Sequence, residues 1–366
     1  MEAASAFDAR LLAASESGRR LPSLAELMAQ TMAGNASDHL TVATVLSDRR
    51  QPGEAILGAA RHQIPHSAAV GRVEVFVAEH NTDQFVFSLW PSGFEFVWHL
   101  VSTVPVTSDE WSRVDRIVRR SAPAIAAVQL DEAELPSICH LLSEHGRVQV
   151  SRMTARITRD HSSYTRGWPA DAPLPRPTYT DALSEIEGRG TVRTLTVTVG
   201  DRLNVHLRKR AGATFYGGDP KLFCDVTLDR LARAASLRAD SFRDRHRRHR
   251  EPVGAPIAVH VQEGQFSDRG QLREFVAGLD RVSDLGVTVL HGNPYLHLSV
   301  TDYRDGSNYN LFVTDGQQIR IYPGFRASMG SLARIADEVG EIVSSVGMSD
   351  ASRPRSLGRD DFLVDA

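Results

Sequence analysis

Period-two alternation, broken at short intervals by turn-forming residues, constrains this chain more than any other feature. Between 191 and 199, Leu195, Val197 and Val199 face one way and Thr194, Thr196 and Thr198 the other. Between 203 and 210, Leu203, Val205 and Leu207 oppose Asn204, His206, Arg208 and Arg210. Gly200-Asp201 joins these two runs, and Asp305-Gly306 and Asp315-Gly316 sit between similar runs further on. Such pairs supply the backbone conformations that close antiparallel hairpins. Residues 72–79, 84–90 and 94–103 are apolar at both parities: Phe85, Phe87 and Leu89 against Val86 and Trp90, then Phe94, Phe96, Trp98 and Leu100 against Val97 and Val101. A sheet built from them is covered on both sides.

Helical periodicity alternates with these strands. Residues 5–33 read as two short helices split by Gly18 and Pro22. Pro52 opens a helix over 52–63, and Ser108 caps one carrying Trp111, Val114, Ile117 and Val118 on one face. Further helices are expected at 131–145, 178–187, 229–249, 268–280 and 327–345. The expected fold class is α+β: three tandem modules, each a strand–helix–antiparallel meander–helix unit, after a short N-terminal helical segment. The boundaries fall at 1–38 for that segment, 39–146, 147–250 and 251–347 for the modules, and 348–366 for a flexible tail. Thr178–Glu187 and the strands after it match Gln271–Leu279 and its followers at an offset near 92, which suggests a repeated unit.

Composition excludes several classes. Hydrophobic content of 42% and charged content of 24% suit a chain that buries real cores. No run of about 18 apolar residues is present, so no transmembrane helix and no membrane role are expected. Glu2 and Asp8 come early, where a secretory signal would carry a basic and then an apolar stretch. Cys139, in an expected helix, and Cys224, at an expected strand edge, are too few for a disulfide framework or a four-cysteine zinc site. These features point to a cytoplasmic protein.

The formal charge of −3 hides an alternation. Residues 1–146 hold 11 Arg against 18 Asp+Glu, a net of −7. Residues 147–250 hold 19 Arg and 2 Lys against 11 acids, a net of +10, and residues 251–366 hold 10 Arg against 16 acids, a net of −6. The basic block can meet an anionic partner or its own acidic neighbours. Its candidate anion-binding residues are Arg152, Arg156, His206, Arg208 and Arg210 on the expected polar sheet face, and Arg245, Arg247, Arg248 and Arg250 in the run that leaves the module. That face lacks the aromatic residues on which single-stranded nucleic acid stacks. Near the end of the sequence Phe362, Leu363 and Val364, flanked by acids, form a candidate docking tail.

Catalytic signatures are scarce. No phosphate-binding Gly-Lys-Ser/Thr loop, G-x-S-x-G elbow or H-E-x-x-H helix occurs. His62 and His66 have helical ligand spacing, but Pro65 breaks the helix between them and no carboxylate follows. Gly217-Gly218-Asp219 resembles the Gly-Gly-Asp-Glu-Phe turn of diguanylate cyclases, in which the acids work with metal and substrate. Pro220 stands in the glutamate's place, and the resemblance covers three residues, so a glycine turn within a strand pair is the expected structure. Neither a cofactor nor a metal is expected. The expected function is a non-enzymatic binding or scaffold protein that contacts protein partners or further copies of itself through charge-complementary modules. Nucleic-acid binding through module two is the first alternative. An enzyme without a linear motif is the second, with Asp219, His206 and His297 as its polar candidates.

Overall fold

The computed structural model describes residues 5–32, 39–60, 63–80, 83–158, 162–169, 171, 175–245, 255–314 and 316–350. Ser5 caps helix α1 (Ala6–Ser17), and Gly18 ends it in the left-handed conformation that glycine adopts without a Cβ clash. Ser23 and Glu26 form a reciprocal capping box on α2 (Leu24–Thr31). Then follow β1 (Leu40–Leu46), α3 (Gly53–Ala60), β2 (His66–Val70), β3 (Val73–His80), β4 (Asp83–Pro91), β5 (Val97–Ser102), α4 (Asp109–Ser121), β6 (Ala126–Ala127) and α5 (Glu134–Ser143). The middle of the chain forms β7 (Val148–Ile157), β8 (Ser163–Gly167), α6 (Tyr179–Ser184), β9 (Gly190–Val199), β10 (Leu203–Arg208) and β11 (Gly212–Gly218). Helix α7 (Pro220–Leu222) runs through a π-helical turn (Phe223–Leu228) into α8 (Asp229–Phe242). The last part is β12 (Ile257–Val261), α9 (Arg269–Asp280), β13 (Leu285–His291), β14 (Leu296–Asp302), β15 (Ser307–Val313), β16 (Gln318–Pro323), α10 (Met329–Ile342) and β17 (Ser345–Asp350).

These strands form two antiparallel sheets, and the protein is mixed α+β. The larger runs β2-β3-β4-β5-β1-β11-β10-β9-β7-β8, with β6 also on β1; the smaller runs β13-β14-β15-β16-β12-β17. The residues expected to make modules one and two therefore share one sheet. The seam is β1, which pairs with β5 on one side (Val42 opposite Val101) and with β11 on the other (Val42 opposite Ala213). The order β2-β3-β4-β5-β1 recurs in the smaller sheet as β13-β14-β15-β16-β12. The likeness of strand order thus links the first and third parts, where the sequence offset had paired the second and third.

Both faces of the β3–β5 region are buried, as its two-sided apolar pattern requires. Phe76, Phe87, Leu89 and Leu100 pack with Trp111, Val114 and Ile117 of α4, while Val75, Val86 and Val101 belong to the core containing Phe7, Leu11, Leu27 and Met28. In the β7–β11 half, Val150, Leu195, Val197, Val205 and Leu207 face a core with α5, α6 and α8.

Several local expectations are corrected. Phe94 and Phe96 lie in the turn before β5, with Phe96 at φ +64°; Ser92 accepts from the Phe94 amide at 3.1 Å and widens that turn. The strand pattern around 213–228, interrupted by Gly217-Gly218-Asp219-Pro220, does not resume after Gly218, because Asp219 accepts from the Lys221 and Leu222 amides at 2.9 and 3.2 Å and Pro220 opens a helix. Cys224 therefore sits in the π-helical turn. Ser163–Gly167, where no strand was expected, forms β8, paired to β7. Met348, Ser349 and Asp350, expected in the tail, complete β17 on β12.

Candidate functional site

Part of the basic block is turned inward, while Arg147, Arg166, Arg189, Arg202, Arg233 and Arg243 are exposed. Arg210 follows β10 and reaches Asp115 of α4 at 2.9 Å and Asp337 of α10 at 2.9 Å. Burial alone would lower its pKa, but the two carboxylates outweigh burial and hold it raised. Gln129 ties Asp337 (3.0 Å) to Glu341 (2.6 Å), and Arg193 donates to the Gly340 carbonyl at 3.1 Å, beside Glu341 at 3.5 Å. Arg156 donates to the Glu341 carbonyl and the buried Lys209 to the Ser345 carbonyl. Burial pushes the Lys209 ammonium down to about 8. Arg230 pairs with Glu134 at 3.0 Å, Arg238 with Asp131, and Arg245 with Asp350 at 2.6 Å. Cations of the middle block thus meet acids from the parts before and after it.

Among the candidate anion-binding residues, Arg152 is exposed on β7. His206 shares a hydrogen bond with Thr196 at 2.9 Å, and burial, with Arg208 and Arg152 nearby, pushes it down to about 4. Arg247, Arg248 and Arg250, and the tail residues Phe362, Leu363 and Val364, lie outside the described residues, as does His62. His66 is exposed on β2. Asp219 caps α7, with Arg202 at 3.5 Å, and His297 on β14 stacks on Phe312 at 4.0 Å and meets Asn310 at 3.0 Å. His206, Asp219 and His297 each have a local partner in a different part of the fold. Among the described residues no three His, Cys, Asp or Glu side chains cluster as metal ligands. Burial pushes the Cys139 and Cys224 thiols up to about 12, which keeps both protonated and poorly nucleophilic.

Two surfaces were not legible from linear pattern. The first is the β13 edge of the smaller sheet. Among the described residues strand β13 pairs on one side only, with β14, and exposes Val289 (51%) and Leu290 (54%). Beside it runs a groove of about 570 Å³ between β13 and α9, walled by Leu272, Val276, Val287, Val289 and Leu296 and rimmed by Arg269, Arg273 and Asp280. The alternation of β13 and its position in a meander were visible; its place at an edge follows from the sheet order. The second is a cleft of about 330 Å³ between α4 and the sheet, lined by Thr44, Val45, Leu100, Val106, Trp111, Val114, Arg208 and Arg210 among others. A further hollow of about 730 Å³ beside α3 is lined by Arg49, Arg50, Arg72, Glu54 and Glu74.

No helix among the described residues is long and apolar enough to cross a membrane. No protein-family model matches the chain, and none of the curated proteins matches it in sequence.

Proposed function

We propose that this is a non-enzymatic binding protein that takes an extended, apolar, acid-flanked protein segment at the β13 edge. The exposed edge strand beside an apolar groove carries the reading. An unpaired edge offers a row of backbone donors and acceptors to an added strand, and alternate side chains of that strand enter the groove. Arg269 and Arg273 on the rim favour acidic flanks. Some cations of the basic block serve within the chain: Arg210, Arg193 and Lys209 hold the smaller sheet's α10–β17 region against the larger sheet. This supports the scaffold reading over nucleic-acid binding, since Arg156, Arg208 and Arg210 donate to the chain itself.

Asp360–Asp365, with Phe362, Leu363 and Val364 between acids, has the chemistry the groove requires and supplies the probe. A labelled peptide of residues 358–366 is titrated onto a full chain carrying Phe362→Ser and Leu363→Ser, so that its own tail does not compete. Saturable binding, weakened at least tenfold by Val289→Asp or Arg273→Glu, is the expected result. Failure to saturate, or indifference to both substitutions, rejects the reading.

A further inference from the structure

Arg208 differs from Arg193, Arg210, Arg230, Arg238 and Arg245, each of which pairs with a carboxylate. Its guanidinium donates to the Val42 carbonyl at 2.7 Å and to Thr214 Oγ1 at 3.1 Å, and its central carbon lies 5.7 Å from the centre of the Trp111 ring. No carboxylate among the described residues forms an ion pair with it. Asp115, the acid in the same cleft, is already shared by Arg210 at 2.9 Å and Arg119 at 2.8 Å. Burial pushes the Arg208 guanidinium down to about 10, which leaves it protonated at neutral pH. Asp115 offsets that burial in part, from beyond ion-pair distance. A desolvated cation without a contacting counter-ion is costly, and an anion that enters the cleft lowers that cost.

A second observation points the same way. Arg210 Nε, on another residue lining the cleft, is buried without a hydrogen-bond acceptor among the described residues. Buried donors normally have acceptors, so each orphan needs an explanation. The remaining walls are mostly apolar, with Val45, Leu100, Val106, Val114 and the Trp111 ring beside the polar Thr44 and Ser112. At about 330 Å³ the space is at the lower end for small-molecule sites, roughly 300–1,000 Å³.

We propose that the cleft between α4 and β1 binds a small organic carboxylate, its charged end on Arg208 and the Arg210 Nε–H, its apolar body against Val45, Leu100, Val106 and Val114. One partly compensated cation suits a monoanion. A dianion such as phosphate would add repulsion from Asp115 and leave the apolar walls unfilled. The site is separate from the β13 groove and stands or falls independently of it.

The test is calorimetric titration of the full chain with phenylacetate, its neutral isostere phenylacetamide, and inorganic phosphate. Phenylacetate binds one to one, and phenylacetamide binds at least tenfold more weakly. Arg208→Gln removes that preference, while Arg152→Gln, on the exposed sheet face, leaves it intact. Val106→Trp, on the segment before α4, fills the cleft without replacing either arginine and abolishes phenylacetate binding; it decides the matter if Arg208→Gln fails to fold. The proposal is overturned if phenylacetate does not bind, if acid and amide bind alike, if phosphate binds better, or if Val106→Trp binds as the parent does.

Discussion

Arg210 Nη2 lies 2.9 Å from Asp337 Oδ2, and this contact joins the larger sheet to helix α10 of the smaller sheet's unit. The carboxylate is 5% exposed and the guanidinium 20%, so neither is solvated as a surface pair would be. Removing one partner of such a pair strands the other's charge, at a cost of about 3–5 kcal/mol. Arg210→Met is therefore expected to destabilise the protein by about 3 kcal/mol. Arg210→Met with Asp337→Leu is expected to cost less than Arg210→Met alone. Denaturant unfolding of both singles and the double measures this cycle; a loss under about 0.5 kcal/mol for Arg210→Met would show that water reaches the pair.

Gly330 tests the same junction by shape. It lies in the first turn of α10, and a Cβ there would stand 1.7 Å from the Pro123 carbonyl oxygen. Helix propensity favours alanine over glycine by about 1 kcal/mol. Here the backbone contact reverses the sign, and Gly330→Ala is expected to destabilise by about 1–3 kcal/mol through overpacking. Thermal unfolding reads it out, and a stabilised variant would mean that the two backbones are not in contact.

His99 is buried on β5 with Nδ1 3.1 Å from Thr44 Oγ1, and burial pushes it down to about 4 from 6.5. The unfolded chain therefore takes up this proton before the folded one does. Stability is lost as pH falls from 6.5 through 4 and is unaffected by this group above that window. His99→Gln is expected to flatten the acid limb of the stability curve, measured by urea unfolding at pH 7, 5.5 and 4.5. An unchanged slope would mean that His99 protonates in the folded state.

Asp8 has the opposite sign. Burial raises it from 3.8 to about 6, against the Thr103 hydroxyl it accepts from at 2.5 Å. The folded state holds this proton more tightly, so stability present below pH 3.8 declines as pH rises through 6. Asp8→Asn is expected to stabilise at pH 7 and to change little at pH 4. Equal effects at both pH values would place Asp8 in contact with water.

Much of the local structure was legible in the residues. The alternation of 191–199 and most of 203–210, the Gly200-Asp201 and Asp305-Gly306 turns, and the Ser108 cap appear where pattern placed them. Misses came where a side chain competes with the local pattern. Asp219 and Pro220 turned a strand-like run into helix, and Ser92 drew Phe94 into a turn. Strand β2 escaped because His66, Ser67 and Ala69 are exposed and carry little apolar signal.

The sequence alone determined that this chain alternates covered antiparallel strands with amphipathic helices, and that its middle is basic between acidic flanks. Period and charge are properties of neighbours along the chain, so they can be read there. Only the tertiary structure decided that β1 joins two meanders into one sheet, that β13 is an edge strand among the described residues, and that Arg210 pairs with two carboxylates while Arg208 pairs with none of those described. Those outcomes depend on which residues long-range pairing brings within a few ångströms, and nothing in the order of neighbouring residues records that distance.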